Sequence, residues 1–98
     1  MNYESHIQSD KPTLIEFSAG WCETSRLMIP VLNEVRDVAG SRVTVLNVNI
    51  EEEPALAEQC HVQTVPTIVI FHRGQILWRK NGISSSHEIL EHLQLVMN

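Results

Sequence analysis

Residues 14–25 read LIEFSAGWCETS, an apolar run followed within a few residues by a cysteine. The run Leu14–Phe17 predicts a buried strand, and the apolar periodicity beyond residue 25 predicts a helix. Cys22 therefore stands at a strand-to-helix junction, where unpaired N–H groups and the helix dipole favour a thiolate, the nucleophilic form of cysteine. Ser25, three residues further on, offers a hydroxyl that cannot close a disulfide with Cys22.

Size and charge exclude several classes of protein. The 98 residues suit one domain with a single core, so we predict one domain over residues 1–98. A net charge of -5 and scattered Lys and Arg residues argue against nucleic acid as a partner. No apolar run approaches the ~20 residues that span a bilayer, and the first residues lack the basic start and apolar stretch of a signal peptide. We therefore expect no membrane association and a reducing, cytoplasmic location.

Periodicity and turn residues predict the element order α-β-α-β-α-β-β-α. Apolar residues recur at helical spacing over Glu23–Ala39, with a kink expected at Pro30. The predicted strands are Thr13–Ser18, Arg42–Asn49, Thr67–His72 and Gln75–Lys80, and the other predicted helices are Tyr3–Ser9, Ala55–Cys60 and one capped by Ser84–Ser86. This order implies an α/β fold with a mixed sheet and helices on both faces, in which a right-handed crossover precedes an antiparallel hairpin.

The Phe-x-Ala-x-Trp-Cys segment that ends at Cys22, and Pro30 in the predicted helix that follows it, resemble the active-site entry and the kinked helix of the thioredoxin family. The resemblance runs along nearly the whole chain. Val65-Pro66-Thr67 resembles the family's cis-proline loop, and further matches lie at Asn49-Ile50, Pro54, Gly74 and Gly82. The resemblance implies a thioredoxin-like fold with a mixed four-stranded sheet, and thiol–disulfide exchange as the activity.

Three departures from the family pattern qualify that activity. First, Ser25 replaces the resolving cysteine. Second, Glu16 stands where the family usually has a buried aspartate, with Asn47 in place of that aspartate's lysine partner. Third, about a dozen residues precede the strand at Leu14, whereas fuller members carry an extra N-terminal strand. Without that strand Arg42–Asn49 becomes a sheet edge, so we expect a monomer or a weak dimer paired through this edge.

The candidate catalytic residues are Cys22, Ser25 and Glu16. Cys22 is the expected nucleophile. Ser25 is either a hydrogen-bond donor that lowers the pKa of the thiol or a neutral helix residue in a degenerate site. Glu16 lies in an otherwise apolar strand, where desolvation favours its protonated form, and is either a general base or a hydrogen-bonded relic.

The candidate substrate-binding residues are Trp21, Val65 and Pro66, and their roles follow from the resemblance. In the family, the residue before the cis-proline offers its N–H and C=O to an extended substrate, which is β-augmentation beside the sulfur. Trp21 and Val65 add apolar contact without sequence specificity. Cys60 is expected to be structural, and no metal site is expected because ligands at suitable spacing are missing.

The sequence leaves three functions open. In the first, the chain is an enzyme, a monothiol thiol–disulfide oxidoreductase without a bound cofactor. Cys22 forms mixed disulfides with proteins or glutathione adducts, and an external thiol such as glutathione must resolve them. In the second, the chain is a redox-silent module that binds proteins through the groove at Trp21, Val65 and Pro66. The third is a glutathione-dependent or iron–sulfur role like that of monothiol glutaredoxins, ranked last because the residues between Cys22 and Ser25 differ.

Overall fold

The computed structural model describes residues 3–97, and its elements follow the predicted order. The strands are β1 Thr13–Ser18, β2 Thr44–Asn49, β3 Thr67–His72 and β4 Gln75–Asn81. The helices are α1 Tyr3–Ile7, α2 Glu23–Arg26, α3 Met28–Ala39, α4 Pro54–Gln59 and α5 Ser86–Leu93, with a 3-10 turn at Gly40–Arg42. Over residues 3–97, no helix has the length and apolar content needed to cross a bilayer.

The strands form one mixed sheet in the order β2-β1-β3-β4, which confirms the predicted four-stranded α/β architecture. β1 pairs in parallel with β2, and β3 pairs antiparallel with both β1 and β4. The carboxyl ends of β1 and β2 therefore lie together at one end of the sheet, where the chain leaves Ser18 for Cys22. In the described part of the chain β2 is an edge strand; pairing of two molecules through it stays a prediction.

Helices cover both faces of the sheet, and each face has its own core. Successive residues of a strand point to opposite faces, so Leu14 packs beneath α3 and α5 whereas Ile15 and Phe17 pack on the face of α1 and α4. Coverage on both sides leaves the β1 and β3 side chains almost entirely buried. That burial explains why both strands read as nearly continuous apolar runs. The same alternation turns Glu16 toward the α3 face.

The helix after Cys22 breaks earlier than the sequence predicts. One helix over Glu23–Ala39 was expected to bend at Pro30, but α2 ends at Arg26 and the break falls at Leu27. A proline lacks an N–H, and its ring crowds the carbonyl four residues before it, which here belongs to Arg26. At the break, the Leu27 N–H donates to the carbonyl three residues before it, that of Thr24, at 3.2 Å. The proline thus acts one turn upstream of its own position.

Strand β2 begins at Thr44, two residues later than predicted. The reason is the 3-10 turn that follows α3. The Arg42 side chain donates to the carbonyls of Ala39 and Val38, at 3.0 and 2.9 Å. These carbonyls belong to the last turn of α3 and have no partner within the helix. Arg42 therefore caps the helix and delays the entry into the strand.

Candidate active site

Cys22 is the residue immediately before α2, at the end of the loop that leaves β1. Its backbone is extended, with φ -97° and ψ 110°, and its N–H donates to the Ala19 carbonyl at 3.1 Å. This turn brings the side chain to the carboxyl end of β1. The Cys22 thiol is partly exposed, whereas Cys60 is buried, and both cysteines are free. Of the two, Cys22 is the thiol that a substrate can reach.

Hydroxyl groups of α2 stabilise the Cys22 thiolate. The Thr24 Oγ1 lies 2.9 Å from the Cys22 Sγ. This hydroxyl is the largest cause of a pKa of Cys22 below its ordinary value of 9.0, followed by the Ser25 hydroxyl and the Ser25 backbone N–H. The sequence predicts a hydrogen bond from Ser25 and misses Thr24. A hydroxyl two residues beyond a cysteine, at the start of a helix, is the signal that could have identified it.

Ser25 lies behind Cys22 in the first turn of α2, and only 5% of it is exposed. Its hydroxyl approaches the sulfur and contributes to the low pKa of Cys22. Within the described residues, however, the Ser25 Oγ forms no hydrogen bond of ordinary length and angle. Ser25 also lines a cavity between the helices and β2. The position that would hold a resolving cysteine is thus occupied by a buried hydroxyl whose hydrogen-bonding capacity is unused.

The loop at Val65 and Pro66 lies directly against the sulfur. The Val65–Pro66 peptide bond is cis, and the Cys22 Sγ lies 3.6 Å from the Val65 carbonyl oxygen. Pro66 is buried, and its carbonyl accepts a hydrogen bond of 2.7 Å from the Gly82 N–H. The structure therefore brings the predicted nucleophile and two of the predicted substrate-binding residues together.

Two exposed apolar side chains lie next to the loop that ends at Cys22 and the loop at Val65 and Pro66. Trp21, predicted from the sequence to bind substrate, is 68% exposed and immediately precedes the sulfur. Ile83, which the sequence analysis missed, is 45% exposed and follows Gly82, the residue hydrogen-bonded to Pro66. An apolar residue directly after a strand-ending Asn-Gly pair is a weak sequence signal. Exposed apolar side chains beside a reactive group are typical of a docking surface for another chain.

Glu16 is fully buried, and it contacts the edge strand rather than the sulfur. In the register of β1 and β2 it stands opposite Asn47, whose Nδ2 donates to the Glu16 Oε1. The Oε2 has no hydrogen-bond partner among the described residues. Burial raises the pKa of Glu16 from its ordinary 4.5 to about 7, against the opposing effect of Asn47. Acid and carboxylate forms therefore coexist near neutral pH.

Cys60 takes no part in this arrangement. It directly follows α4 and is buried on the face of the sheet that α1 and α4 cover, and its backbone carbonyl accepts a 2.7 Å hydrogen bond from Arg79. Burial raises the pKa of the Cys60 thiol. Among residues 3–97, no group of three or more His, Cys, Asp or Glu side chains is arranged to hold a metal ion.

Thr24→Val is expected to raise the pKa of Cys22, because the methyl group that replaces the hydroxyl cannot donate to the thiolate. The rate of iodoacetamide alkylation at pH 7 should fall severalfold in a Cys60→Ser background. Ser25→Ala should have a smaller effect, since its hydroxyl is the weaker contributor. Equal alkylation rates in Thr24→Val and the parent would contradict the assignment of Thr24.

Sequence comparisons find a family model and relatives that match most of the chain. The family model described as Thioredoxin matches residues 1–95. A thioredoxin of Alicyclobacillus acidocaldarius is 38% identical over 74 residues, covering 76% of this chain and 70% of the relative. A thioredoxin-like protein of Synechocystis is 32% identical over 87 residues, covering 89% of this chain and 83% of the relative.

Solved structures agree on the fold. The thioredoxin of Malassezia sympodialis superposes with a TM-score of 0.85 at 24% identity, covering 96% of this chain and 82% of that one. A second structure comes from a study of the thiol resolving mechanism in yeast mitochondrial 1-Cys peroxiredoxin via glutathione/thioredoxin systems. It superposes with a TM-score of 0.83 at 24% identity, covering 94% of this chain and 85% of that one. The match over residues 1–95 and the relatives above 30% identity establish the family: the chain belongs to the thioredoxin family.

Proposed function

We propose that the chain is a monothiol thiol–disulfide oxidoreductase that forms mixed disulfides through Cys22. The observation that carries this proposal is the position of one partly exposed thiol, 2.9 Å from the Thr24 hydroxyl and 3.6 Å from the Val65 carbonyl. Membership of the thioredoxin family supports redox chemistry in general. The single-cysteine mechanism follows from the hydroxyl at Ser25.

The first step uses the groups around the sulfur. The Cys22 thiolate attacks one sulfur of a protein disulfide, so that a new S–S bond joins Cys22 to the client and the second client sulfur leaves as a thiolate. Hydrogen bonds from Thr24 keep Cys22 in the reactive form. A glutathione adduct of a client would react in the same way, with either sulfur as the one attacked.

The client is expected to be an extended segment that carries the disulfide. The Val65 backbone lies beside the sulfur and offers hydrogen bonds to such a segment, as in β-augmentation. Trp21 and Ile83 supply exposed apolar surface on either side, which binds without strict sequence preference. The partners in this proposal are therefore proteins with disulfides or reactive cysteines, in the cytoplasm, where glutathione keeps thiols reduced.

The second step requires a thiol from outside the protein. The Ser25 hydroxyl cannot displace the client, because a neutral alcohol is a poor nucleophile and its oxygen forms no disulfide. Glutathione, another small thiol, or the second thiol of the client must attack the mixed disulfide. With glutathione, two molecules are consumed for each client released, and they leave as one oxidised disulfide. Release is consequently slower than in a dithiol enzyme.

The test is to mix the reduced Cys60→Ser protein with a peptide whose single cysteine is joined to 2-thiopyridine, so that the client has no second thiol, and to follow the intact mass without added thiol. We expect one peptide to become attached to Cys22, and the adduct to persist until glutathione is added. The matched Cys22→Ser variant should form no adduct. Complete release of the peptide in the absence of any external thiol would contradict the monothiol mechanism.

A redox-silent binding module is the second candidate, and the exposed Trp21 beside the intact Val65–Pro66 loop favours it. The Cys22→Ser variant separates the two functions. If the peptide binds this variant as tightly as it binds the parent, and the parent forms no adduct, the groove alone is functional. We expect the opposite outcome, in which loss of the sulfur removes most of the retention of the peptide.

A further inference from the structure

A cavity of about 300 Å³ opens beside the active site, between α2, α3 and β2. It lies at the carboxyl ends of the neighbouring parallel strands β1 and β2, and neither Val65 nor Pro66 lines it. Crevices at the carboxyl ends of strands are where open α/β sheets bind ligands. The polar part of the lining comes from Ser18, Ser25, Arg26, Arg36, Asn47 and Asn49.

The lining of this cavity is positively charged, although the protein as a whole is negative. The chain has 12 Asp and Glu residues against 7 Lys and Arg, yet two arginines and no acidic residue line the cavity. The ion pairs of residues 3–97 involve neither of these arginines. Arg26 donates to the Gly20 carbonyl, and Arg36 donates to Asn33 and to the Val45 carbonyl. A guanidinium has five N–H donors, so both retain donors for a ligand.

The Ser25 hydroxyl adds an independent indication of a ligand. It is buried, it lines the cavity, and it has no hydrogen-bond partner among the described residues. A buried polar group without a partner is uncommon and costs free energy, and a molecule in the cavity would remove that cost. Cys22 does not line the cavity, but Ser25 does, and the same side chain contributes to the low pKa of Cys22, so Ser25 stands between the cavity and the sulfur.

We propose that this cavity binds the external thiol that resolves the mixed disulfide, and that this thiol carries carboxylate groups. The inference rests on the function proposed above. Arg26 and Arg36 hold the carboxylates through charge-assisted hydrogen bonds. The Ser25 hydroxyl contacts the incoming sulfur. The ligand thus approaches from the side of Cys22 where a resolving cysteine would stand.

The reaction then balances without any further reagent. The ligand thiolate attacks the Cys22 Sγ, an S–S bond forms between ligand and Cys22, and the client leaves as a thiolate that takes a proton from water. A second molecule of the same thiol attacks the sulfur of the bound ligand. The Cys22 thiolate is released, and the two ligand molecules leave joined by a disulfide.

The experiment uses Cys60→Ser protein in which Cys22 is joined to 2-thiopyridine by reaction with 2,2′-dithiodipyridine. Release of the coloured thione measures attack on the Cys22 sulfur. Glutathione should react roughly tenfold faster than glutathione diethyl ester, which has the same thiol but no free carboxylates. In the Arg26→Gln/Arg36→Gln variant this preference should fall to about twofold or less. Arg73→Gln, at a turn on another part of the surface, removes a positive charge as a control and should keep the full preference.

The ester rate also reports whether the reactive site of each variant is intact. If the preference for glutathione is the same in all proteins, or is absent from the parent, the cavity does not bind the carboxylates and the inference is overturned. That result would leave the proposed function standing as long as the mixed disulfide forms. If Cys22 fails to form the mixed disulfide at all, both the function and the role of the cavity are overturned.

Discussion

Replacing Ser25 with cysteine is expected to convert the protein into a dithiol reductase. The new thiol would attack the mixed disulfide from within the molecule, so the client should leave roughly 10²-fold faster than with millimolar external thiol. Residues three apart in a helical turn have Cβ atoms ~5–6 Å apart, and a disulfide needs ~3.5–4.5 Å between them. The Ser25 hydroxyl already contributes to the low pKa of Cys22, so a small closure of the turn brings a cysteine at position 25 within reach of the sulfur.

The measurement is a single turnover of the Ser25→Cys and parent proteins with the same single-cysteine peptide disulfide, without added thiol. The variant should yield free peptide thiol and an internal protein disulfide, whereas the parent should stop at the covalent adduct. Ser25→Ala is the matched control and should also stop at the adduct. A long-lived adduct in Ser25→Cys would mean that residue 25 is not aimed at the sulfur, which would contradict the geometry of the site.

Glu16→Gln is expected to change the pH dependence of stability. As pH rises, the free energy of unfolding of the variant should increase relative to that of the parent. The pKa of Glu16 is about 7 in the folded protein, against an ordinary 4.5. Between these values the unfolded chain loses its proton while the folded protein keeps it, so the free energy of unfolding of the parent falls as pH rises. From pH 5 to pH 8 the variant should gain roughly 2–3 kcal/mol relative to the parent.

Urea unfolding at both pH values measures this difference. Gln keeps an oxygen that can accept the hydrogen bond from Asn47, so the local contact is preserved. Glu52→Gln, an exposed carboxylate outside the strands, is the control and should follow the parent at both pH values. Parallel curves for Glu16→Gln and the parent would show that the buried carboxyl titrates at its ordinary value.

The sequence predicts the sheet well because strands that are buried on both faces consist almost entirely of apolar residues. β1 and β3 are covered on both faces, so their apolar runs identify them. The sequence predicts a kink at Pro30, because the position of a proline is visible in it, whereas the helix breaks at Leu27. The carbonyl that its ring excludes becomes apparent only once the helix is built.

Some features of the site can likewise be predicted from the sequence, and others depend on the folded structure. The position of Cys22 before a helix, and of Val65 and Pro66 beside it, follows from local pattern and family resemblance. The contact between Asn47 and Glu16 depends on the register of β1 against β2, which no local signal specifies. The arginine-lined cavity joins residues from two helices on either side of a break, so its charge becomes visible only in three dimensions.

The most direct test of the central claim is the pH dependence of alkylation of Cys22 in the Cys60→Ser protein. The hydrogen bond with the Thr24 hydroxyl, and the nearby hydroxyl and N–H of Ser25, should place the inflection below the ordinary thiol value of 9.0 in a single, rapidly reacting population. An inflection at or above that value, or a thiol that reacts only after unfolding, would contradict a nucleophilic role for Cys22.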